Sequence, residues 1–322
     1  MSFSEILEVL YFIVPSAIFY AAPLILVAIG GVFSERSGVV NIGLEGLMVI
    51  GAFTGILFNL LFADTFGGAT PWLALIAAMV AALLLSLLHA VASISFRADQ
   101  VVSGVAINLL AIALSLYLVK KIFGKGQTDF ITERFARYNV PMLQDIPFIG
   151  PMFFQSVYNT SILAIAVAIF AWFVIYKTPF GLRLRAVGEH PMAADTMGIN
   201  VTRMRYIAVM ISGGLAGIGG AIYAQTISGD FGHSTINGQG FMALAAMIFG
   251  KWHPLGALGA ALFFGLAQSL SIAGPSIPYI KEIPSVFLLI LPYVLTILAL
   301  AGFIGRANAP KANGKPYIKG QR

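Results

Sequence analysis

Long apolar runs separated by short polar breaks organise the whole chain. They fall near residues 9–33, 38–62, 71–96, 100–120, 157–177, 203–227, 254–273 and 283–303, with a shorter one at 239–250. A helix needs about 20 apolar residues to cross a bilayer, so eight of these runs are long enough and the ninth is marginal. The runs are apolar on every side, as helices surrounded by lipid and by other helices are, so periodicity adds little. Membrane strands are excluded by length, because a barrel strand is an alternating segment of about ten residues and these runs continue over twenty or more. The pattern predicts an all-α, polytopic membrane helix bundle of about 8–9 transmembrane segments, one of them short or broken.

Composition agrees with a chain dissolved in a bilayer. Of 322 residues, 59% are hydrophobic and 10% charged, and the mean hydropathy is +0.90. A soluble domain runs near 45–50% apolar and about 25% charged, so the polar surface here does not suffice to cover a globule in water. Residues 1–305 therefore read as one transmembrane domain. Residues 306–322 carry Arg306, Lys311, Lys315, Lys319 and Arg322 and no acid; they read as a disordered, basic cytoplasmic tail, not a nucleic-acid arm. With no cysteine there is no disulfide scaffold, thiolate metal site or cysteine nucleophile. Glu5 and Glu8 precede the first run where a cleavable signal peptide would place Lys or Arg, so the first helix is expected to be retained.

The cations set the orientation. The tail and the segment 178–203, with Arg183, Arg185 and Arg203 and flanked by Lys177 and Arg205, belong on the cytoplasmic side. Two basic ends on one side require an even number of crossings between them, so the marginal run 239–250 counts as one. The N-terminus and the long loop 121–156 then lie outside. Pro141, Pro147, Gly150 and Pro151 suggest an ordered, turn-rich cap for that loop.

Chemistry-bearing motifs are sparse. No G-x-x-x-x-G-K-[ST] phosphate loop occurs, the four histidines have no metal-binding spacing, and no serine nucleophile motif appears, so neither a catalytic residue nor a metal ligand is assigned. Transport asks instead for polar groups facing a cavity and small residues for close helix approach. Residues 212–224, SGGLAGIGGAIYA, form a seam of small residues. Asn41 and Glu45 lie four apart on one helical face among Gly38, Gly43 and Gly46, and a carboxylate inside a membrane run needs a reason. That reason is either a cavity or gate role, or pairing with Arg36 or capping of backbone. Asn108, nine residues beyond an expected N-cap at Asp99, falls near the bilayer middle, and Gln225 near the outer end of its run; either lines a substrate pathway or ties helices together. Within 177–206, Pro191 suits the start and Gly198 the end of a short helix, 191–197, with Glu189 at its positive end. Such a helix either docks another protein or rests on anionic lipid.

Several of these stretches carry a family resemblance. RLRAVGEHPMAADTMGI resembles the coupling segment in permease subunits of bacterial ABC importers of the branched-chain amino acid, ribose and nucleoside group. SERSGVVNIGLEGLMVIGA, ADQVVSGVAIN and GQGFMALAAMIFGKWHPLGALGAALFFG resemble, more narrowly, the smaller permease of nucleoside importers. Monosaccharide members typically have one more N-terminal helix and a G-G-I-D-L-S-type sequence where this chain has VVNIGLEG. The resemblance implies a type II-like ABC importer permease, in the bacterial cytoplasmic membrane, translocating nucleosides. It implies a second, larger permease subunit, a separate ATP-binding subunit that holds ATP and Mg, and an extracellular substrate-binding lipoprotein or periplasmic binding protein, with no cofactor in this chain. Gly188, Glu189, Pro191, Ala193, Ala194, Asp195 and Gly198 match the ATPase-coupling pattern. The alternatives are an ABC permease for a monosaccharide or branched-chain amino acid, and, from another class, an ion-coupled secondary transporter, for which Glu45 is the one plausible intramembrane acid.

Overall fold

The computed structural model describes residues 3–274 and 308–320, with four isolated helical positions between them. The expected crossing at 283–303 lies, apart from those positions, outside the described residues. Helices dominate: α1 (Phe3–Arg36), α2 (Leu44–Phe66), α3 (Thr70–Ala90), α4 (Gln100–Phe123), α5 (Ile149–Phe153), α6 (Asn159–Lys177), α7 (Pro179–Glu189), α8 (Pro191–Thr196), α9 (Val201–Tyr223), α10 (Gln239–Phe249) and α11 (Pro254–Ala273). Wider π-helical turns extend α3 through Val91–Ser95 and α9 through Ala224–Ser228. Among the described residues six helical stretches are long and apolar enough to cross a membrane, and one of them, Leu44–Ser95, holds two consecutive helices.

Local chemistry sets the helix ends. Asp99 accepts hydrogen bonds from the Val101 and Val102 amides and starts α4 as expected, and Gly124 ends it with a left-handed φ of 67°. Thr178 and Asn200 cap α7 and α9 through the amides of Gly181 and Arg203.

Helix α9 is the axis of the bundle, packed against α1, α2 and α3. The small-residue seam is what allows this. A methyl group on Gly217 would sit 2.5 Å from the Ala78 carbonyl oxygen of α3, one on Gly219 would sit 2.9 Å from the Pro23 carbonyl of α1, and one on Gly220 would overlap the Met48 carbonyl of α2. Backbone thus meets backbone on three sides, and dispersion between close-packed chains takes the place of a hydrophobic drive that lipid does not supply. Helix α11 runs along α1, with the Ser269 hydroxyl donating to the Ile13 carbonyl (3.3 Å).

One face of the bundle carries the long loop, the other the segment 178–203 and the tail. The loop is ordered, as its prolines suggested: strands β1 (Arg137–Tyr138) and β2 (Val157–Tyr158) pair antiparallel, and the Thr128 and Ile131 amides donate to the carbonyls of Phe231 and Gly229 in the loop between α9 and α10. The tail departs from expectation. Residues 308–320 are not a free end: Ala312 is buried, its amide donates to the Gly188 carbonyl (2.9 Å), and Asn313 Nδ2 donates to Glu35 (2.9 Å). Lys311, Lys315 and Lys319 keep their side chains exposed while the backbone between them packs, so a charge count misread an ordered segment.

Candidate functional site

The chain between α1 and α2 is not helical although it is as apolar as its neighbours. α2 starts at Leu44, six residues later than the run beginning at 38 suggested, because Gly38 turns the chain with φ +89° and residues 39–41 then follow without regular structure. Their position follows from α9. The Ser37 carbonyl accepts from Arg205 Nε (3.2 Å), and Asn41 Nδ2 donates to the Ser212 hydroxyl (3.0 Å). Arg205 and Ser212 are seven residues apart on one helix, so residues 37–41 descend about 10 Å into the bundle.

Non-helical backbone at that depth must find partners inside the protein. It finds them on side chains. The Val40 amide donates to Gln100 Oε1 (2.7 Å), the Val40 carbonyl faces His89 Nε2 (3.0 Å), the Val39 carbonyl accepts from the Ser34 hydroxyl (2.7 Å), and the Ile42 carbonyl accepts from Asn108 Nδ2 (3.1 Å). Asn108 also accepts from the Gly46 amide through Oδ1 (2.7 Å), so this one side chain clamps the last loop residues and the first turn of α2. Asn41, fully buried, has its Oδ1 without a partner.

Glu45 takes the capping role, not the pairing one. Its carboxylate accepts from the amides of Gly238 (2.7 Å) and Gly240 (2.6 Å) at the start of α10, whereas Arg36 donates to the Trp252 carbonyl (2.8 Å). A carboxylate there satisfies orphan amides and opposes the positive end of the helix dipole. Gly240 has no side chain because a methyl would fall 2.5 Å from Glu45 Cα. At the other end of α10, Trp252 Nε1 donates to Glu35 (2.6 Å), beside Arg36 at the C-terminal end of α1. The eleven residues of α10 thus run about 16 Å from the middle of the bundle to the end of α1. This is the short, broken segment, preceded by the loop 229–238.

Asn41, Glu45 and Asn108 therefore gather around the start of α2. Gln225 stands apart, about 20 Å further along α2, where its Oε1 accepts from Asn59 Nδ2 (3.1 Å), which also donates to the Glu133 carbonyl of the long loop (2.8 Å). Ser212, Gln100, His89 and Asn59 carry no signal in the sequence. Each is an ordinary polar residue in an apolar helix, and the partner named for it here lies 49 to 171 positions away, although His89 also meets the Ser103 hydroxyl 14 positions on. The buried charges Glu35, Glu45 and Arg205 are met by hydrogen-bonding dipoles; among the described residues the one ion pair is the exposed Lys125–Asp129.

Segment 178–203 holds two helices, not one. α7 ends at Glu189, and Gly188 packs so closely that a methyl would overlap the Arg36 carbonyl. α8 starts at Pro191 and ends in a Schellman turn: the Gly198 amide donates to Asp195 (2.9 Å) and the Ile199 amide to Ala194 (3.0 Å), with Gly198 at φ +79°. Ala194 is buried. Ala193, Met192 and Met197 face outward, Met197 at 82% exposure, and Gly198 has open space around it. A rigid helix end with two exposed methionines suits a protein groove better than lipid headgroups. Desolvation and the neighbouring Asp195 carboxylate hold the Tyr317 phenol of the tail above its ordinary value.

On the face that carries the long loop, a polar bowl of about 660 Å³ is lined by Lys125, Gln127, Asp230, His233 and Thr235 among others. The loop that forms it leads directly to Gly238 and the Glu45 clamp.

Comparison with known proteins matches residues 13–300 to a family described as the permease component of the branched-chain amino acid transport system. The chain is 67% identical over 318 residues to the guanosine ABC transporter permease protein NupQ of Bacillus subtilis, covering 99% of this chain and 100% of that one. It is 54% identical over 315 residues to the nucleoside ABC transporter permease protein NupC of Lactococcus lactis, covering 98% and 99%. It also matches a second Bacillus subtilis protein, the guanosine ABC transporter permease protein NupP, at 26% over 302 residues, 90% of this chain and 83% of that one.

Proposed function

The chain belongs to the permease-component family of branched-chain amino acid transport systems, and from that premise we propose that it is the translocating permease subunit of an ATP-driven ABC importer of nucleosides. The observation that carries this is the 67% identity along essentially its whole length to a permease named for guanosine. The match to two different guanosine permeases of one bacterium supports a heterodimer with a larger, non-identical permease. ATP and Mg belong in a separate ATP-binding subunit, and a binding protein outside delivers the nucleoside. The membrane is the bacterial cytoplasmic membrane, with the N-terminus and the long loop outside and residues 308–320 inside.

Gly188, Glu189, Pro191, Ala193, Ala194, Asp195 and Gly198 form the ATPase-docking unit in this reading, with α8 as the part that enters the groove. The pathway passes the start of α2. Asn41 keeps a free acceptor for a ribose hydroxyl or a base amide, while Glu45, Asn108 and Gln225 hold the backbone around it in place. An ion-coupled carrier needs a carboxylate free to exchange its proton, and both Glu35 and Glu45 are engaged by donors of the fold.

The test is reconstitution with the second permease, the ATP-binding subunit and the binding protein in liposomes. ATP-dependent uptake of guanosine or another nucleoside is expected. Uptake of a sugar or a branched-chain amino acid with no nucleoside uptake would refute the substrate class, and nucleoside uptake driven by an ion gradient without ATP would refute the ABC reading.

A further inference from the structure

The long loop carries an apolar surface that the rest of the fold leaves uncovered. From Ile146 to Phe153 the sequence IPFIGPMF has no charge, and Asp145 is the last charged residue before Lys177. Ile146, Phe148, Ile149 and Phe153 are exposed on it. The backbone beneath them is tightly held: a methyl on Gly150 would overlap the Gln144 carbonyl, and the Val140 amide donates to the Phe154 carbonyl (2.9 Å). An ordered apolar ledge of this kind belongs at the boundary between headgroups and acyl chains, where a bilayer supplies the cover that water does not.

The same segment borders a pocket of about 280 Å³ between the N-terminal half of α1 and the start of α6. Much of its wall is aromatic: Tyr11, Phe12 and Phe19 from α1, Phe153 from α5 and Tyr158 from β2. Phe19 stacks on Tyr158 with ring centroids 4.6 Å apart, and Arg137 Cζ lies 4.9 Å from the centroid of the same ring. The register of β1 and β2 sets Arg137 directly opposite Tyr158, so strand pairing and ring together fix the guanidinium. Arg137 is an exposed member of the pocket's lining, and among the described residues no ion pair engages it.

The wall has already used some of its own polar groups. The Ser16 hydroxyl donates to the Phe12 carbonyl (2.8 Å) and Gln155 Nε2 to the Gln144 carbonyl (3.3 Å). A nucleoside asks for several free donors and acceptors around its ribose and base. An anionic amphiphile asks for an apolar wall with one cation at its edge, and that is the arrangement here. We propose that this pocket binds an anionic phospholipid from the leaflet on the side of the long loop, its phosphate on Arg137 and the upper part of one acyl chain among Phe12, Phe19 and Phe153. The lipid then bridges α1 and the long loop where protein atoms leave a gap. This goes beyond the transport reading and does not depend on which solute is carried.

The test uses the permease complex in phosphatidylcholine nanodiscs containing a small fraction of phosphatidylglycerol with a photoreactive diazirine in its acyl chain. Cross-links, mapped by peptide mass spectrometry, should concentrate on residues 11–19 and 151–158. Unlabelled phosphatidylglycerol should displace them, and inorganic phosphate, glycerol phosphate and guanosine should not. At equal amounts of intact complex, Arg137→Gln should lower the yield about tenfold, the effect of losing one charge-assisted bond, and Arg137→Lys, which keeps the charge, should lower it less. Ser16→Trp, which narrows the pocket and leaves Arg137 in place, should lower it as well, and it carries the test if Arg137→Gln does not assemble. Cross-links spread evenly onto Leu109 and Tyr117 of α4, or an unaltered yield in both Arg137→Gln and Ser16→Trp, would reveal ordinary annular lipid and overturn the site. Displacement by inorganic phosphate or glycerol phosphate would overturn it in favour of a free anion, and displacement by guanosine in favour of a nucleoside pocket.

Discussion

Helices α8 and α10 are both too short to cross a bilayer, and they are built in opposite ways. α8 closes upon itself: Pro191 begins it, Gly198 ends it, and the bonds of its last turn run between residues three to five apart. α10 ends on its own chain too, the Trp252 amide donating to the Met247 carbonyl (3.1 Å), but it is anchored from elsewhere. Its first amides go to Glu45, 195 positions away for Gly240, and the turn after it is held by Glu35 through Trp252, 217 positions away. A helix completed by its own chain can be pushed as a unit without losing its hydrogen bonds. A helix anchored to two other helices cannot move without them, so α10 is fixed to α1 and α2 and α8 is the element free to be driven.

The severest way to break this contrast is Glu45→Ala. It strips two charge-assisted bonds, each contributing about 1.5–3 kcal/mol, from amides buried in the bundle. Assembled permease should fall to a small fraction of the parent amount on quantification of the membrane fraction, and normal accumulation would show that α10 does not depend on α2. Next comes Asn108→Leu, which leaves the Gly46 amide and Ile42 carbonyl without their partner and should lower complex and uptake together, by roughly 2–4 kcal/mol of stability in a thermal melt. Equal melting of variant and parent would remove Asn108 from the clamp.

At α8 the expected outcome is different in kind. Gly198→Val forces a β-branched residue to φ +79° at a cost of about 1–2 kcal/mol confined to the helix end. Complex should survive and uptake per complex should be lost, whereas Gly198→Asn, which tolerates the left-handed conformation, should keep most of it. The same loss in both variants would mean that the turn conformation is not what matters. The gentlest probe is Asn41→Leu, which gives up one hydrogen bond of about 1 kcal/mol. The amount of complex should be unchanged and uptake per complex reduced, and an unchanged ratio would assign Asn41 to holding helices only. Orientation is checked with no energetic effect at all: an impermeant thiol reagent applied from outside should label Asp145→Cys and spare Asn308→Cys.

How much of this was legible follows from the same contrast. The limits of α8 and the cap at Asp99 were written in neighbouring residues, Pro191, Gly198 and Asp99 itself, because the chemistry that sets them acts over one turn. The late start of α2 was not, since VVNIG is as apolar as the helix that follows it and the groups that satisfy its backbone are Ser34, His89, Gln100 and Asn108. Glu45 was recognisable as a residue needing a reason, but which of its two structural roles it plays depends on where residues 238–240 come to lie. The order of the tail was hidden because the decisive group is a backbone carbonyl, that of Lys315, which accepts from Arg205 Nη1 (3.1 Å), and composition counts side chains.

Helix α9 has a consequence for how this sequence is free to drift. Gly213, Gly217 and Gly220 face backbone or a short side chain on a neighbouring helix, and Gly51 of α2 faces Gly217 itself. The smallest change at any of these positions, to alanine, has to be accompanied by a shift of a whole neighbouring helix, so single substitutions there are closed and only paired ones on α9 and its neighbour remain open. Variation among descendants of such a chain is thereby steered outward, to exposed positions such as Val102, Leu109 and Tyr117 on α4, where a new side chain meets no other part of the bundle.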